Sequence, residues 1–194
     1  ITDRKLIKLK EQVIIVGMNE RVINSRTATK TMVINGLFIG LTLLATMSIN
    51  VRLPFIGNGG LIHLGNVPLF IAAIIYGRKT GAIAGAFGMG LFDLISGWTA
   101  WAPFTFIICG AIGYTVGLIA EKSKWNTYVA NTVAIFAACI IKVVGYYFAE
   151  VLLYGNWIVP FGSIPGNVMQ IAIAGIIVLP IASKLKKMIK NGVY

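Results

Sequence analysis

Six apolar runs, at about 31–50, 64–77, 80–96, 103–120, 127–154 and 163–183, take up most of the chain, and only short basic or turn-forming stretches separate them. A bilayer's hydrocarbon core is crossed by about 20 apolar residues in helical form, so runs of this kind favour transmembrane helices. The composition agrees. Of 194 residues, 57% are hydrophobic and 12% charged, about half the charged share of an ordinary soluble domain. The expected fold is an all-α integral membrane bundle of six transmembrane helices, the second one short. No internal repeat or low-complexity segment divides it, so residues 18–194 are expected to form a single six-helix membrane domain. Residues 1–17, ITDRKLIKLKEQVIIVG, precede Met18, which could itself be a natural start. Their apolar part is too short for a signal peptide or a span, and a cytoplasmic extension is the expectation.

Charge placement orients the bundle. The turns "GRKTG", after the second run, and "EKSKWN", after the fourth, belong inside, because short cytoplasmic loops carry the Lys and Arg. Counted from Met18, this puts Arg21, Arg26, Lys30, Arg78, Lys79, Lys122, Lys124, Lys184, Lys186, Lys187 and Lys190 inside and only Arg52 outside. Both termini are then cytoplasmic. The excess of 17 Lys and Arg over 6 Asp and Glu becomes an orientation signal with some attraction for anionic lipid, and nucleic acid is not an expected partner. Trp98, Trp101 and Trp157, with Tyr154, fall at outer helix ends. Aromatic rings favour the interface there, and one or two of them could also stack on a ligand. Cys109 and Cys139 lie inside apolar runs without a C-x-x-C and read as small buried hydrophobes.

Small residues recur at G-x-x-x-G spacing: Gly36 and Gly40; Gly77, Gly81 and Gly85; Gly113 and Gly117. In lipid such steps let helix backbones approach closely. For the third and fourth helices, packing inside the bundle is the expected use.

An intramembrane charge costs about 2.5–3.5 kcal/mol on insertion scales, so each one calls for an explanation. Asp93 and Glu150 lie about one turn from the outer ends of helices three and five. Asn167 and Gln170 occupy the first turns of helix six, and His63 with Asn66 stand where helix two begins. Polar groups from four segments thus converge on the outer third of the bundle, as a pocket for a small polar ligand requires. The stretch "NGGLIHLGNVPLF", residues 58–70, reads as a non-helical outer loop that folds over or into this pocket, or as an ordinary connection. Its neighbourhood holds Gly57, Gly59, Gly60 and Gly65, which permit close backbone approach. Lys142, mid-helix, shares a face with Tyr146 and Glu150. It is expected to pair with Asp93 or Glu150, or to snorkel, ahead of touching ligand directly.

Enzyme signatures are missing. There is no G-x-x-x-x-G-K-[ST], H-E-x-x-H or G-x-S-x-G, no metal-spaced cluster, and a single histidine. The S-x-x-K match at Ser183 to Lys186 lies in the basic tail and reads as chance. No catalytic residue, metal site or cofactor is expected in this chain.

Residues 61–120 carry a further signal, with "LG" opening helix two, a "G-x-K-x-G" inner turn, a glycine-rich helix three ending "D-L-I-S-G", and "AP" beginning helix four. In that order they resemble the substrate-binding S components of energy-coupling factor (ECF) vitamin transporters, in the branch of riboflavin-type and hydroxymethylpyrimidine or pyridoxine carriers. The resemblance implies a six-helix S-component fold and capture of a vitamin or precursor outside a bacterial cell membrane. It implies as partners a transmembrane coupling protein and two cytosolic ATPase subunits, which use the ATP. Family members dock on the coupling protein through an A-x-x-x-A surface on helix one, where this chain has Gly36 and Gly40. Asn66 departs from the Asp that often follows "LG". The expected substrate-binding set is His63, Asn66, Asp93, Trp101, Tyr146, Glu150, Asn167 and Gln170. These groups suit a small flat heterocycle bearing hydroxyls, with hydroxymethylpyrimidine or pyridoxine favoured and riboflavin or pantothenate left open. The competing readings are a small intramembrane enzyme using Asp93 and Glu150 as acid and base, and a stand-alone carrier or channel.

Overall fold

In the computed structural model, residues 2–48, 50–52 and 61–190 are described. They form six α-helices, α1 (Thr2–Ser48), α2 (Asn66–Tyr76), α3 (Arg78–Ile95), α4 (Ala102–Lys122), α5 (Thr127–Tyr154) and α6 (Ile164–Lys190), with two short strands, β1 (Asn50–Arg52) and β2 (Leu61–His63). A single 3-10 turn, Val159–Ser163, leads into α6. The chain divides into two units, Ile1–Ile34 and Asn35–Tyr194, and α1 contributes to both. Within the first unit the described backbone is helical throughout. Residues 18–30, "MNERVINSRTATK", hold neither glycine nor proline, so nothing interrupts the helix before the apolar run begins.

Helix boundaries follow local chemistry. The Asn126 side chain accepts the Tyr128 N–H at 2.8 Å and caps the start of α5. Gly155, at φ 62°, ends α5 in the left-handed region that glycine enters without penalty. Gly77, at φ 92°, makes the sharp break between α2 and α3. Glu121 braces that break from the end of α4: one carboxylate oxygen accepts the Arg78 N–H at 2.7 Å and the other lies 3.6 Å from Arg78 Nε.

Packing of α3 on α4 is backbone against backbone. A Cβ at Gly81 would meet Ala73 and the Gly113 carbonyl, one at Gly113 would meet the Gly81 and Ala82 backbone, and one at Gly117 would meet Gly77 and Arg78. The glycine spacing in these two helices is therefore a packing device. Leu69, Phe70, Met89, Ile112, Val116 and Val178 fill the core around it. Outside, the pattern is inverted relative to a water-soluble bundle: Ile107, Phe136, Leu152, Ile158 and Ile176 are all more than two-thirds exposed. A periphery of large apolar side chains suits lipid as solvent.

Four helical stretches are long and apolar enough to cross a membrane: Ser25–Ser48, Ala102–Lys122, Thr127–Tyr154 and Val159–Lys186. The second apolar run is shorter than a span, because α2 has 11 residues and rises only about 16 Å. The third run, α3, has 18 residues and includes Arg78, Lys79 and Asp93. The stretch 58–70 also differs from a plain loop. Leu61–His63 pairs antiparallel with Asn50–Arg52, with His63 opposite Asn50, and α2 already begins at Asn66. Gly57, Gly59 and Gly60 lie outside the described residues; Gly65 packs closely beneath Thr46, His63 and Met89.

Candidate functional site

Antiparallel succession brings the C-terminal ends of α3 and α5 to the same end of the bundle as the N-terminal ends of α4 and α6. On α5, Lys142, Tyr146 and Glu150 recur every four residues and so share one face. On α6, Asn167 and Gln170 are three apart and do the same. Asp93 sits in the last turn of α3, Trp101 at the N-cap of α4 and Thr105 in its first turn. His63 ends β2, where its Nδ1 accepts the Gly65 N–H at 3.2 Å.

These side chains surround one cavity, lined by His63, Asp93, Trp98, Trp101, Thr105, Lys142, Tyr146, Glu150, Ser163, Asn167 and Gln170 and measuring about 570 Å³ with its open mouth included. Seven of the eight residues expected from the sequence thus meet at one place. The eighth, Asn66, does not line it. Fully buried at the start of α2, Asn66 donates from Nδ2 to Gln170 Oε1 at 3.5 Å, and its own Oδ1 has no partner among the described residues. It therefore stands behind Gln170, because the first turn of α2 points into the bundle.

One wall is aromatic. The Trp101 ring lies 6.4 Å from Tyr146 and 6.0 Å from Tyr154, centroid to centroid. The polar wall is partly wired together. Thr105 Oγ1 and Tyr146 Oη are 3.1 Å apart. Thr105 also faces the Asp93 carboxyl, and Ser163 faces that of Glu150. Beneath Tyr146, Cys109 Sγ lies 3.6 Å from its hydroxyl and 3.2 Å from Met89 Sδ, the packing role expected of a buried thiol. His63, outside the helices, is held well below its ordinary pKa of 6.5, first by burial and then by the Lys142 ammonium, and is neutral at pH 7.

Lys142 corrects the expectation of a structural ion pair. Its side chain is 1% exposed, so it does not snorkel to an interface. Among the described residues, the one ion pair within 4.0 Å is Arg78 with Glu121; Asp93 acts on Lys142 only from beyond that distance. Its Nζ lies 5.2 Å from the centroid of the Tyr146 ring. Thr105 and Ser163 went unnoticed in the sequence; Thr105 was legible as the residue one turn beyond Trp101. Trp101, expected in the substrate-binding set, faces the cavity together with Trp98, expected only in the aromatic belt, while Trp157 is exposed and its carbonyl accepts the Tyr147 hydroxyl at 2.8 Å.

Carboxylates, an ammonium, amides, hydroxyls and aromatic faces in a half-open cavity are equipment for holding a small polar molecule reversibly. Among the described residues there is no group of three or more His, Cys, Asp or Glu that could hold a metal ion.

Comparison with known proteins gives the same direction. Residues 26–187 match the family model described as the ECF-type riboflavin transporter, S component. A thiamine precursor transporter, HmpT, of Lactococcus lactis subsp. cremoris is 29% identical over 133 residues, covering 68% of this chain and 74% of that one. An uncharacterized protein in the gap 3′ region of Pyrococcus woesei is 30% identical over 132 residues, 66% of this chain and 83% of that one. A solved structure, titled as the S component of a bacterial ECF transporter, superposes with a TM-score of 0.66 at 17% identity, covering 84% of this chain and 99% of that chain, and so shares the fold. The apolar helices make this a membrane protein, and the match over 162 residues, 26 to 187, establishes that the chain belongs to the ECF-type riboflavin transporter S-component family, whose members are transporter subunits rather than enzymes.

Proposed function

We propose that this chain is the substrate-binding subunit of an ATP-driven ECF-type importer. It captures a water-soluble vitamin or vitamin precursor, with hydroxymethylpyrimidine or pyridoxine the favoured ligand. The observation that carries this reading is the convergence of seven expected polar and aromatic residues on one cavity at the end of the bundle away from the basic turns. The charge asymmetry supports six passes through a bacterial cell membrane with both termini cytoplasmic, so the cavity opens outward. The Lactococcus thiamine precursor transporter supports a pyrimidine-sized ligand, and a flat ring suits the Trp101 and Tyr146 wall.

Asp93, Glu150, Asn167 and Gln170 would hold the ligand's polar edge. This chain carries no cofactor, and transport needs the coupling protein and two cytosolic ATPases. Gly36 and Gly40 support docking there: a Cβ at either meets nothing within 4 Å, so α1 presents a smooth, unfilled surface at both positions.

Tryptophan fluorescence of the detergent-purified chain, titrated with a panel of vitamins and precursors that includes riboflavin, tests the proposal. Trp98 and Trp101 line the cavity and report its occupation. Saturable quenching by one compound, weakened at least tenfold in Glu150→Gln, is the expected result. Folded protein that answers to none of the panel refutes the proposal.

A further inference from the structure

The cavity holds one strong donor with no carboxylate in ion-pair reach among the described residues. Lys142 is 1% exposed, lines the cavity at the middle of α5, and forms no ion pair within 4.0 Å among the described residues. The two cavity carboxyls have nearer neighbours: Asp93 faces Thr105 and feels Lys142 only from beyond ion-pair distance, and Glu150 faces Ser163. An ammonium carries three donors and no acceptor, and burying it unpaired is among the most unfavourable arrangements available to a side chain. The Tyr146 ring 5.2 Å away compensates only in part.

Resting on the reading of this cavity as the ligand site, we infer that Lys142 is a specificity-determining residue that donates to a ring-nitrogen acceptor of the ligand. The position of Lys142 fixes the ligand's orientation as well as its class. Lys142 and Glu150 are eight residues apart on one face of α5, so their backbone positions differ in depth by about 12 Å. A planar ring held against Trp101 and Tyr146 therefore enters acceptor edge first, with ring nitrogen toward Lys142. Its amino or hydroxyl donors, on the opposite edge, face Asp93 and Glu150. The substrate class is an azaheteroaromatic ring with hydrogen-bond donors placed across the ring from an unsubstituted nitrogen. Hydrocarbon rings, and rings whose acceptor and donors share one edge, are selected against.

Ligand-side and protein-side changes together test this. The probes are hydroxymethylpyrimidine and pyridoxine, each beside an analogue in which CH replaces the ring nitrogen lying across from the amino or hydroxymethyl donor. For whichever parent the wild-type chain binds, loss of that nitrogen should weaken binding about ten- to a hundredfold, the range for a hydrogen bond to a charged group. In Lys142→Met the parent should bind as weakly as its analogue, the two differing by less than about twofold. Lys142→Gln, which keeps a neutral donor, should restore part of the discrimination and stands in where the Met variant fails to fold. A purely structural lysine would lower affinity for parent and analogue alike and leave their ratio unchanged; that outcome, or equal binding of parent and analogue by the wild type, overturns the inference. Failure of the wild type to bind any vitamin overturns the transporter-subunit reading instead, so the two failures are distinct.

Discussion

Gly113→Ala places one methyl group where the structure has no room for it. The new Cβ would meet the Gly81 carbonyl carbon and oxygen and the Ala82 nitrogen, all backbone of α3. A side chain in the way could change rotamer, but a backbone can yield only by moving the whole helix. Overpacking of this kind costs about 1–3 kcal/mol, and the lack of any local escape argues for the upper half of that range. Against it stands the helix preference of alanine over glycine, about 1 kcal/mol. The net expectation is a loss of about 1–2 kcal/mol, which for a chain of this size lowers the melting temperature by about 2–8 °C. Gly40→Ala is the internal control, since its Cβ meets nothing within 4 Å and gains the same helix preference. Thermal unfolding in detergent, followed by tryptophan fluorescence, should show the Gly113 variant below the wild type and the Gly40 variant at or above it. Equal melting temperatures for both variants would refute the backbone-contact account of how α3 and α4 pack.

Two further outcomes follow from other parts of the chain. His63 is neutral in the folded protein because burial and then Lys142 lower its pKa, whereas the unfolded chain takes up a proton below about pH 6.5. Its effect on stability is therefore absent above pH 6.5, and stability falls as pH drops below that value, by at most about 1.4 kcal/mol per pH unit; the melting temperature of the wild type between pH 7.5 and 5.5 should drop more than that of His63→Gln. Gly36→Leu and Gly40→Leu fill open surface, so the isolated chain should bind its ligand normally while co-purification with the coupling protein falls at least tenfold; normal assembly would remove the docking claim.

The helices were legible because lipid demands continuous apolar length, and the runs beginning near 103 and 127 became α4 and α5 almost residue for residue. The candidate site was legible for a related reason: Asp93, Glu150 and Asn167 are conspicuous in apolar surroundings, and alternating helix direction is enough to bring them to one end. What could not be read depends on rotation and register. The pairing of Asn50–Arg52 with Leu61–His63 joins two three-residue segments, too short to show any period-two alternation. Asn66 and His63 are three residues apart, yet one backs the cavity and the other lines it, because the strand ends and the helix begins between them. Lys142 shares a helix face with Glu150, which suggested a pair; the actual spacing of their side chains keeps them beyond ion-pair distance. Shared faces are visible in a sequence, but distances of a few ångströms are not.

On the proposed function, this chain captures its ligand and depends on other subunits to move it. Uptake of the radiolabelled form of whichever vitamin saturates the tryptophan quench, in proteoliposomes, tests that most directly. With this chain alone, the account predicts bound label at about one molecule per chain and no accumulation inside; with the coupling protein and both ATPases added, accumulation should appear only when ATP is present. Accumulation by the chain alone, or chemical conversion of the label, would contradict it.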